Sequence, residues 1–228
     1  MPRAYNAQQT IEKIIEAAGR LFLEKGFDKT SMLEIAQAAD ISKGAIYHHF
    51  ASKEEIIDAV ARHQTKVKEA LFQEWLSEMA SLTGKEKIIG ILRNSLTIHA
   101  SHQFDHIAAI RMKSPDFVLS YMQELVNQDS ALISDLIKEG IADGSLQTEY
   151  PDEAAEVFLL LLNIWCDPCV FSGSPAKLET RLRFVQKTMR VHGLDVLSDD
   201  LLQTILDVLQ QLYPDGDLWC GNNRGEKS

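Results

Sequence analysis

Two helix-start signals stand close together near the N-terminus, and they constrain the fold more than any other feature of the chain. Ser31-Met32-Leu33-Glu34 fits a capping box, in which a serine hydroxyl and a glutamate carboxylate each satisfy a free backbone N–H at a helix start. Ser42 is a fresh N-cap, so the helix opened by Ser31 must end near Asp40 and the next must run over about 43–49. Two short helices joined by so tight a turn cannot lie antiparallel; they cross at a steep angle. Ahead of them, Ile11, Ile14, Ile15, Ala18, Leu21 and Phe22 repeat on one helical face and Gly26 supplies a C-cap, which predicts a first helix over 8–25. Behind them, Ser52-Lys53-Glu54-Glu55 is a second capping box and opens a long helix reaching about residue 80. The pattern is a helix-turn-helix over 31–50 within a three-helix unit, in a domain expected over 8–68.

Every later periodic segment is helical, and none alternates with period two. Helices are expected over 85–102 and 104–112. Ser114-Pro115-Asp116 reads as N-cap, N1 proline and first-turn acid of a helix running to Gly144. Pro151 opens "PDEAAEVFLLLLNIW", expected to be helical over 152–171 with a kink at Pro168, and amphipathic helices follow over 179–192 and 199–212. The chain is therefore all-α: a helix-turn-helix domain, a larger helical bundle over 69–214, and a tail over 215–228 expected to be flexible.

Composition narrows the class further. The three cysteines are an odd number and cannot form a closed disulfide framework, which favours a reducing compartment. The first ten residues lack the apolar core of a secretory signal, and the longest apolar run, "VFLLLLNIWC", is far short of the roughly 20 residues that span a bilayer. A soluble cytoplasmic protein with no membrane partner is expected. The net charge of -10 argues against a polyanionic partner until it is divided: the chain through Lys53 carries +1 and the remainder -11. An acidic body joined to a mildly basic end suits local rather than indiscriminate contact with DNA.

In a helix-turn-helix the second helix presents its exposed face to the DNA major groove, which is wide enough for one helix and carries readable base edges. Lys43, Gly44, Ala45 and His48 lie on that outward face. Lys43 can donate to guanine O6 and N7, Gly44 lets the backbone approach, and the Ala45 methyl can touch a thymine methyl. Ile35, Ala36, Ala39, Ile41, Ile46 and Phe50 recur on the inward side. Ser31 and Ser42 head the two helices, and N–H groups at the helix starts capped by Ser31 and Ser52 can add to a phosphate clamp.

The stretch "GFDKTSMLEIAQAADISKGAIYHHFASKEEI", with Thr30, Ile35-Ala36, Ser42, Gly44, Tyr47 and Phe50 at their spacing, resembles the DNA-binding domain of the TetR family of bacterial transcriptional regulators. Asp40 stands where the family most often has glycine, and aspartate tolerates positive φ better than most residues. The resemblance implies that Thr30, Tyr47, His49 and Lys53 contact phosphates. It implies a homodimeric repressor released from a palindromic operator by a small effector, through a swing of the fourth helix that spoils the spacing of the two recognition helices. The interface expected from it lies on the helix over 152–171 and one or both of the last two helices. A mainly apolar effector would be lined by Trp75, Leu92, Leu96, His99, His106, Ile110, Met112, Tyr121, Met122, Phe158, Leu162 and Trp165.

Other readings are weaker in the residues. His99, His102 and His106 with Asp105 could hold a metal only on an unbroken helix, and Cys166-Asp167-Pro168-Cys169 reads as a helix end with two buried thiols rather than a redox or zinc site. No cofactor or metal is expected. The chain has no G-x-S-x-G, H-E-x-x-H or phosphate-binding glycine loop, so an enzyme is not expected. The alternative that keeps the DNA-binding module makes the C-terminal domain a docking platform for another protein.

Overall fold

The computed structural model describes residues 2–100, 111–112 and 114–212, and every regular element among them is helical. In chain order these are α1 (Pro2–Lys25), α2 (Met32–Ala38), α3 (Lys43–His49), α4 (Lys53–Glu78), α5 (Gly84–Ala100), α6 (Pro115–Glu124), α7 (Ser130–Asp143), α8 (Pro151–Leu160), α9 (Pro175–Val191) and α10 (Asp199–Leu212). The described residues divide into two compact units, one ending at Gln73 and the other beginning at Glu74. The helix expected over 104–112 falls mostly, and the tail over 215–228 wholly, outside the described residues.

The first unit is built as its capping signals require. The Ser31 hydroxyl accepts from the Glu34 N–H at 3.2 Å while the Glu34 carboxylate accepts from the Ser31 N–H at 2.8 Å. Asp40 adopts φ 55°, and the Ile41 N–H reaches the Ala36 carbonyl while the Asp40 N–H reaches that of Gln37. This is a Schellman ending, so a residue in the left-handed region stops α2 abruptly and leaves room for Ser42 to cap α3 two residues later. Phe22, Ile14, Ile35, Ile46 and Ile56 are all fully buried, one or more from each of α1 to α4. At about 1.5–3 kcal/mol for each such side chain removed from water, this cluster sets the angle between α2 and α3.

In the second unit α5 and α8 both pack on α7, and α10 packs on α5 and α9. The approach of α5 to α7 is close: a Cβ on Gly84 would lie 2.3 Å from the Gly140 nitrogen and the Leu136 oxygen. Polar fasteners hold the same layers. The Asp143 carboxylate accepts from the Gly84 N–H at 2.8 Å, buried Lys87 pairs with Glu139, and buried Gln186 donates to the Leu197 carbonyl at 2.8 Å and to Asp199 at 2.9 Å.

Several boundaries differ from those the sequence suggests. α1 begins at Pro2 rather than 8, since nothing in Pro2 to Ala7 breaks a helix whose first N–H is absent anyway. α9 begins at Pro175 rather than 179, with Ser174 as N-cap accepting from the Lys177 N–H at 3.3 Å. The helix from Ser114 to Gly144 carries a π turn over Leu125–Asp129. A second π turn, Leu161–Trp165, ends the helix opened by Pro151, so it stops at Trp165 instead of running on to 171, and Pro168 lies in the turn beyond it. The "CDPC" segment is therefore not a kinked helix end with two buried thiols. Cys166 is buried and free, whereas Cys169 is half-buried and disulfide-bonded, so the motif does not close on itself. Burial pushes the Cys166 thiol up to about 11 against the opposing pull of Arg181, which leaves it unreactive near neutrality.

Candidate nucleic-acid interface

α3 has seven residues, and only Ile46 is buried. Ile46 and the C-cap Phe50 anchor the helix on α1, α2 and α4, which leaves Lys43, Gly44, Tyr47 and His48 exposed and Ala45 and His49 half-buried. The Ser42 hydroxyl accepts from the Ala45 N–H at 3.1 Å, closing the first turn. Tyr47 keeps 50% of its surface, unusual for a tyrosine that the fold could have covered.

Gly44 is the most informative of these. A Cβ built on it meets nothing closer than the Ser42 hydroxyl at 3.9 Å, so the fold itself makes no demand for glycine there. Glycine inside a helix costs about 1 kcal/mol relative to alanine. A glycine that the protein does not need is explained by something outside the protein approaching the backbone. Gly44→Ala is expected to raise stability by about 0.5–1 kcal/mol in urea unfolding while weakening DNA binding. A variant that is stabilised and binds DNA as before would show that no partner approaches this face.

The flanking residues behave differently from one another. Ser31 is exposed at the head of α2, and Lys25 with both the N–H and the hydroxyl of Ser31 holds the Glu34 carboxyl down to about 2. Lys53 donates to the Phe27 carbonyl at 2.6 Å and its ammonium sits 4.2 Å from the Phe27 ring centroid, tying the start of α4 to the α1–α2 turn. The Ser52 hydroxyl accepts from the Glu55 N–H at 3.2 Å, but the Glu55 carboxylate reaches back to Ala51 rather than to Ser52. Thr30 departs from the phosphate-contact expectation: it is only 2% exposed, and its hydroxyl donates to the Gly26 carbonyl at 2.8 Å. Its side chain closes the α1–α2 turn instead of facing outward.

The expected effector lining is only partly gathered. Met122 and Trp165 border an open, mainly apolar groove of about 380 Å³, together with Leu160, Leu161, Ile164, Phe171 and Phe184. Phe158 is fully buried in the core and Met112 is buried, while Trp75, Leu92, Leu96 and Leu162 are half-buried. The His99 side chain, His106 and Ile110 lie outside the described residues, as do His102 and Asp105. Tyr121 is half-buried with its hydroxyl 3.5 Å from the Asn163 carbonyl oxygen. Burial, reinforced by Asp129, Asp167 and Glu124, pushes that phenol well above its ordinary range, so it stays a neutral donor.

Sequence reasoning missed the part of the groove contributed by α9. The signal was present: Phe184 and Val191 stand seven residues apart, on a different side from the buried Leu178, Leu182, Val185 and Met189, and keep 57% and 82% of their surface. Phe184 meets Trp165 edge-on at 5.7 Å.

Residues 14–60 match the family model described as bacterial regulatory proteins, tetR family. The chain is 27% identical over 185 residues to the HTH-type transcriptional repressor Rv1474c of Mycobacterium tuberculosis, covering 78% of this chain and 91% of that one. It is 30% identical over 151 residues to the HTH-type transcriptional repressor KstR2 of Rhodococcus jostii, covering 64% of this chain and 72% of the relative. Among solved structures, a putative TetR-family transcriptional regulator from Mesorhizobium loti superposes with a TM-score of 0.61 at 21% identity, over 82% of this chain and 98% of the other.

Proposed function

The chain belongs to the tetR family of bacterial regulatory proteins and is a DNA-binding transcriptional regulator; from that premise we propose that it works as a homodimeric repressor whose α3 reads the major groove and whose second unit answers to a small, mainly apolar effector. The observation that carries this reading is the outward face of α3: Lys43, Tyr47 and His48 exposed around a glycine the fold does not require. Lys43 is the base-reading donor, Tyr47 and His49 bind phosphates, and Lys53 keeps two ammonium hydrogens for a phosphate while the third holds Phe27. Thr30 acts only through the turn it closes.

The second copy is proposed to dock on the groove between α8 with its π turn and α9. Three features support this. Phe171 and Phe184, which line it, are exposed, and Val157 of α8 and Val191 of α9 are exposed apolar residues of the same two helices. α8 opens with Asp152, Glu153 and Glu156, whereas α9 carries Lys177, Arg181, Arg183, Lys187 and Arg190 against the single acid Glu179. In a two-fold interface each α8 faces the partner's α9, so opposite charges meet at both ends of an apolar centre. The first turn of α10 packs inward on the protomer's own core through Leu201 and Leu202. No helix among the described residues is long and apolar enough to cross a membrane.

The test is fluorescence anisotropy on a duplex that the purified protein selects from a random library. Lys43→Ala and Tyr47→Ala are each expected to weaken binding about tenfold or more, with Lys43→Ala also relaxing sequence preference. Binding of both variants at the wild-type level would remove α3 as the recognition helix.

A further inference from the structure

Three cysteines and one bond fix a pairing. The chain holds Cys166, Cys169 and Cys220. Cys166 is buried and free, and Cys169 is disulfide-bonded. Within one chain the sulfur left for Cys169 is that of Cys220, which stands beyond the described residues. We infer that a Cys169–Cys220 disulfide is a redox switch on the α8–α9 groove, holding Leu218 and Trp219 over it when closed and releasing it to the second copy when reduced. The inference rests on the reading of that groove as the dimer surface.

Cys169 stands at the rim of the groove, between Trp165 and Phe171, both of which line it. The Cys169 N–H donates to the Asp167 carboxylate at 2.6 Å and the Phe171 N–H to the Asp167 carbonyl at 2.9 Å, so the turn closes on itself. Arg181 of α9 donates to the Phe171 carbonyl at 2.9 Å, with its guanidinium 5.7 Å from the Trp165 ring centroid and 5.8 Å from that of Phe171. A segment bonded at Cys169 is therefore held beside α9 and the aromatic residues of the groove. Cys166 does not compete for the bond, because it is buried and that burial pushes its thiol up.

The segment that carries Cys220 suits this place in length, charge and character. Cys220 is eight residues beyond Leu212, the end of α10, and eight extended residues span up to about 26–29 Å. α10 packs on α9, and α9 packs on the π turn that precedes Cys169. Two helix packing distances amount to about 16–20 Å, within that reach. The charged residues between Leu212 and Cys220 are Asp215 and Asp217, which approach a helix carrying Lys177, Arg181 and Arg183. Leu218 and Trp219 adjoin Cys220 and supply the apolar surface that a groove of leucine, isoleucine and aromatic side chains takes up. While the bond is closed, the segment competes at an effective concentration of about millimolar against a second copy at micromolar; once it opens, that advantage is lost.

The oxidant is a hydroperoxide and the reductant a dithiol. On closing, one thiolate attacks a peroxide oxygen, the O–O bond breaks, and a sulfenic acid forms as water or an alcohol leaves. The second thiolate attacks that sulfur, the S–S bond forms, and the displaced hydroxide leaves as water. The two thiols thereby give up two electrons and two protons. On opening, a dithiol returns both by exchange and ends as its own disulfide.

The experiment counts thiols and protomers in the purified protein after hydrogen peroxide or dithiothreitol. Maleimide labelling in denaturant is expected to find one thiol in oxidised wild type, three in reduced wild type and two in oxidised Cys220→Ser. Mass spectrometry of the oxidised digest should show Cys169 joined to Cys220. Sedimentation velocity at micromolar concentration should give monomers for oxidised wild type, and dimers for reduced wild type and for Cys220→Ser in both states. Oxidised wild type should bind the selected duplex at least about tenfold more weakly than reduced. A Cys166–Cys169 bond, which leaves no thiol in oxidised Cys220→Ser, overturns the pairing. Covalent dimers on a non-reducing gel place the bond between copies and overturn the occlusion. Non-covalent dimers in oxidised wild type sink the switch and leave the dimer reading standing. Monomers throughout, with the thiol counts as expected, sink the dimer reading and the switch that rests on it.

Discussion

Phe184→Glu is expected to turn the protein into a monomer at micromolar concentration and to lower its affinity for a palindromic operator by about a hundredfold or more. The ring is 57% exposed in the single chain, standing at the mouth of an apolar groove against Trp165. An exposed aromatic of this kind, centred in an interface, commonly contributes about 2 kcal/mol or more, and two-fold symmetry makes the loss count twice. A carboxylate in its place would also have to be desolvated against Leu160, Leu161 and Ile164. The protomer should tolerate the change, because Arg181 and Lys187, three residues to either side on α9, accommodate an acid at the surface. Sedimentation velocity gives the oligomeric state, circular dichroism the fold, and anisotropy the operator affinity. DNA affinity falls when the dimer is lost because one seven-residue recognition helix covers too few base pairs, and only paired half-sites add their contacts. A variant that remains dimeric would move the interface off the α8–α9 groove.

What the sequence disclosed depended on how local each signal is. The capping box at Ser31, the cap at Ser42 and the left-handed residues Gly26 and Asp40 all act within five residues of themselves, and the structure places each of them in that role. Two of them together dictate the helix-turn-helix, and the buried set from Ile14 to Phe50 follows from its periodicity. Ser174-Pro175 is the same N-cap and N1 pair as Ser114-Pro115, so the true start of α9 was equally legible.

Other features have no local signature. Nothing in Leu125–Asp129 or Leu161–Trp165 distinguishes a π turn from an α turn, yet the first shifts the faces of its helix for every residue that follows and the second ends its helix. The groove illustrates the consequence. It joins Met122 of α6, Leu160 of α8 with Leu161, Ile164 and Trp165 of the π turn that follows it, Phe171 beyond, and Phe184 of α9, and their convergence depends on tertiary packing. Thr30 shows the same limit at the scale of one hydroxyl: its position in the motif is local, but the carbonyl it finds on Gly26 depends on how the turn folds back.

Gly193→Ala should be the most destabilising glycine-to-alanine change among the described residues, costing roughly 3 kcal/mol or more in urea unfolding. Gly193 ends α9 in the left-handed region with φ 81°, its N–H reaching the Arg190 carbonyl at 3.0 Å while the Leu194 N–H reaches that of Met189 at 2.9 Å. The added Cβ would fall 1.4 Å from the Gln147 oxygen and 2.5 Å from its carbon. Those are backbone atoms of the α7–α8 connection, so no side-chain rotation relieves the overlap; the connection must move and the 3.3 Å bond from the Gln147 N–H to the Gly193 carbonyl must break. Gly144→Ala supplies the control within the same unit. Gly144 has nearly the same φ, 80°, but nothing within 4 Å of its Cβ position, so it should lose only the left-handed penalty of about 1–2 kcal/mol. The difference between the two variants isolates the contact from the backbone preference. Equal losses would mean that α9 does not dock its end against the Gln147 carbonyl. A larger loss at Gly193 carries a functional corollary, since α9 also bears Phe184 and Val191: loosening its C-terminal anchor should weaken dimerisation without touching a single residue of the groove.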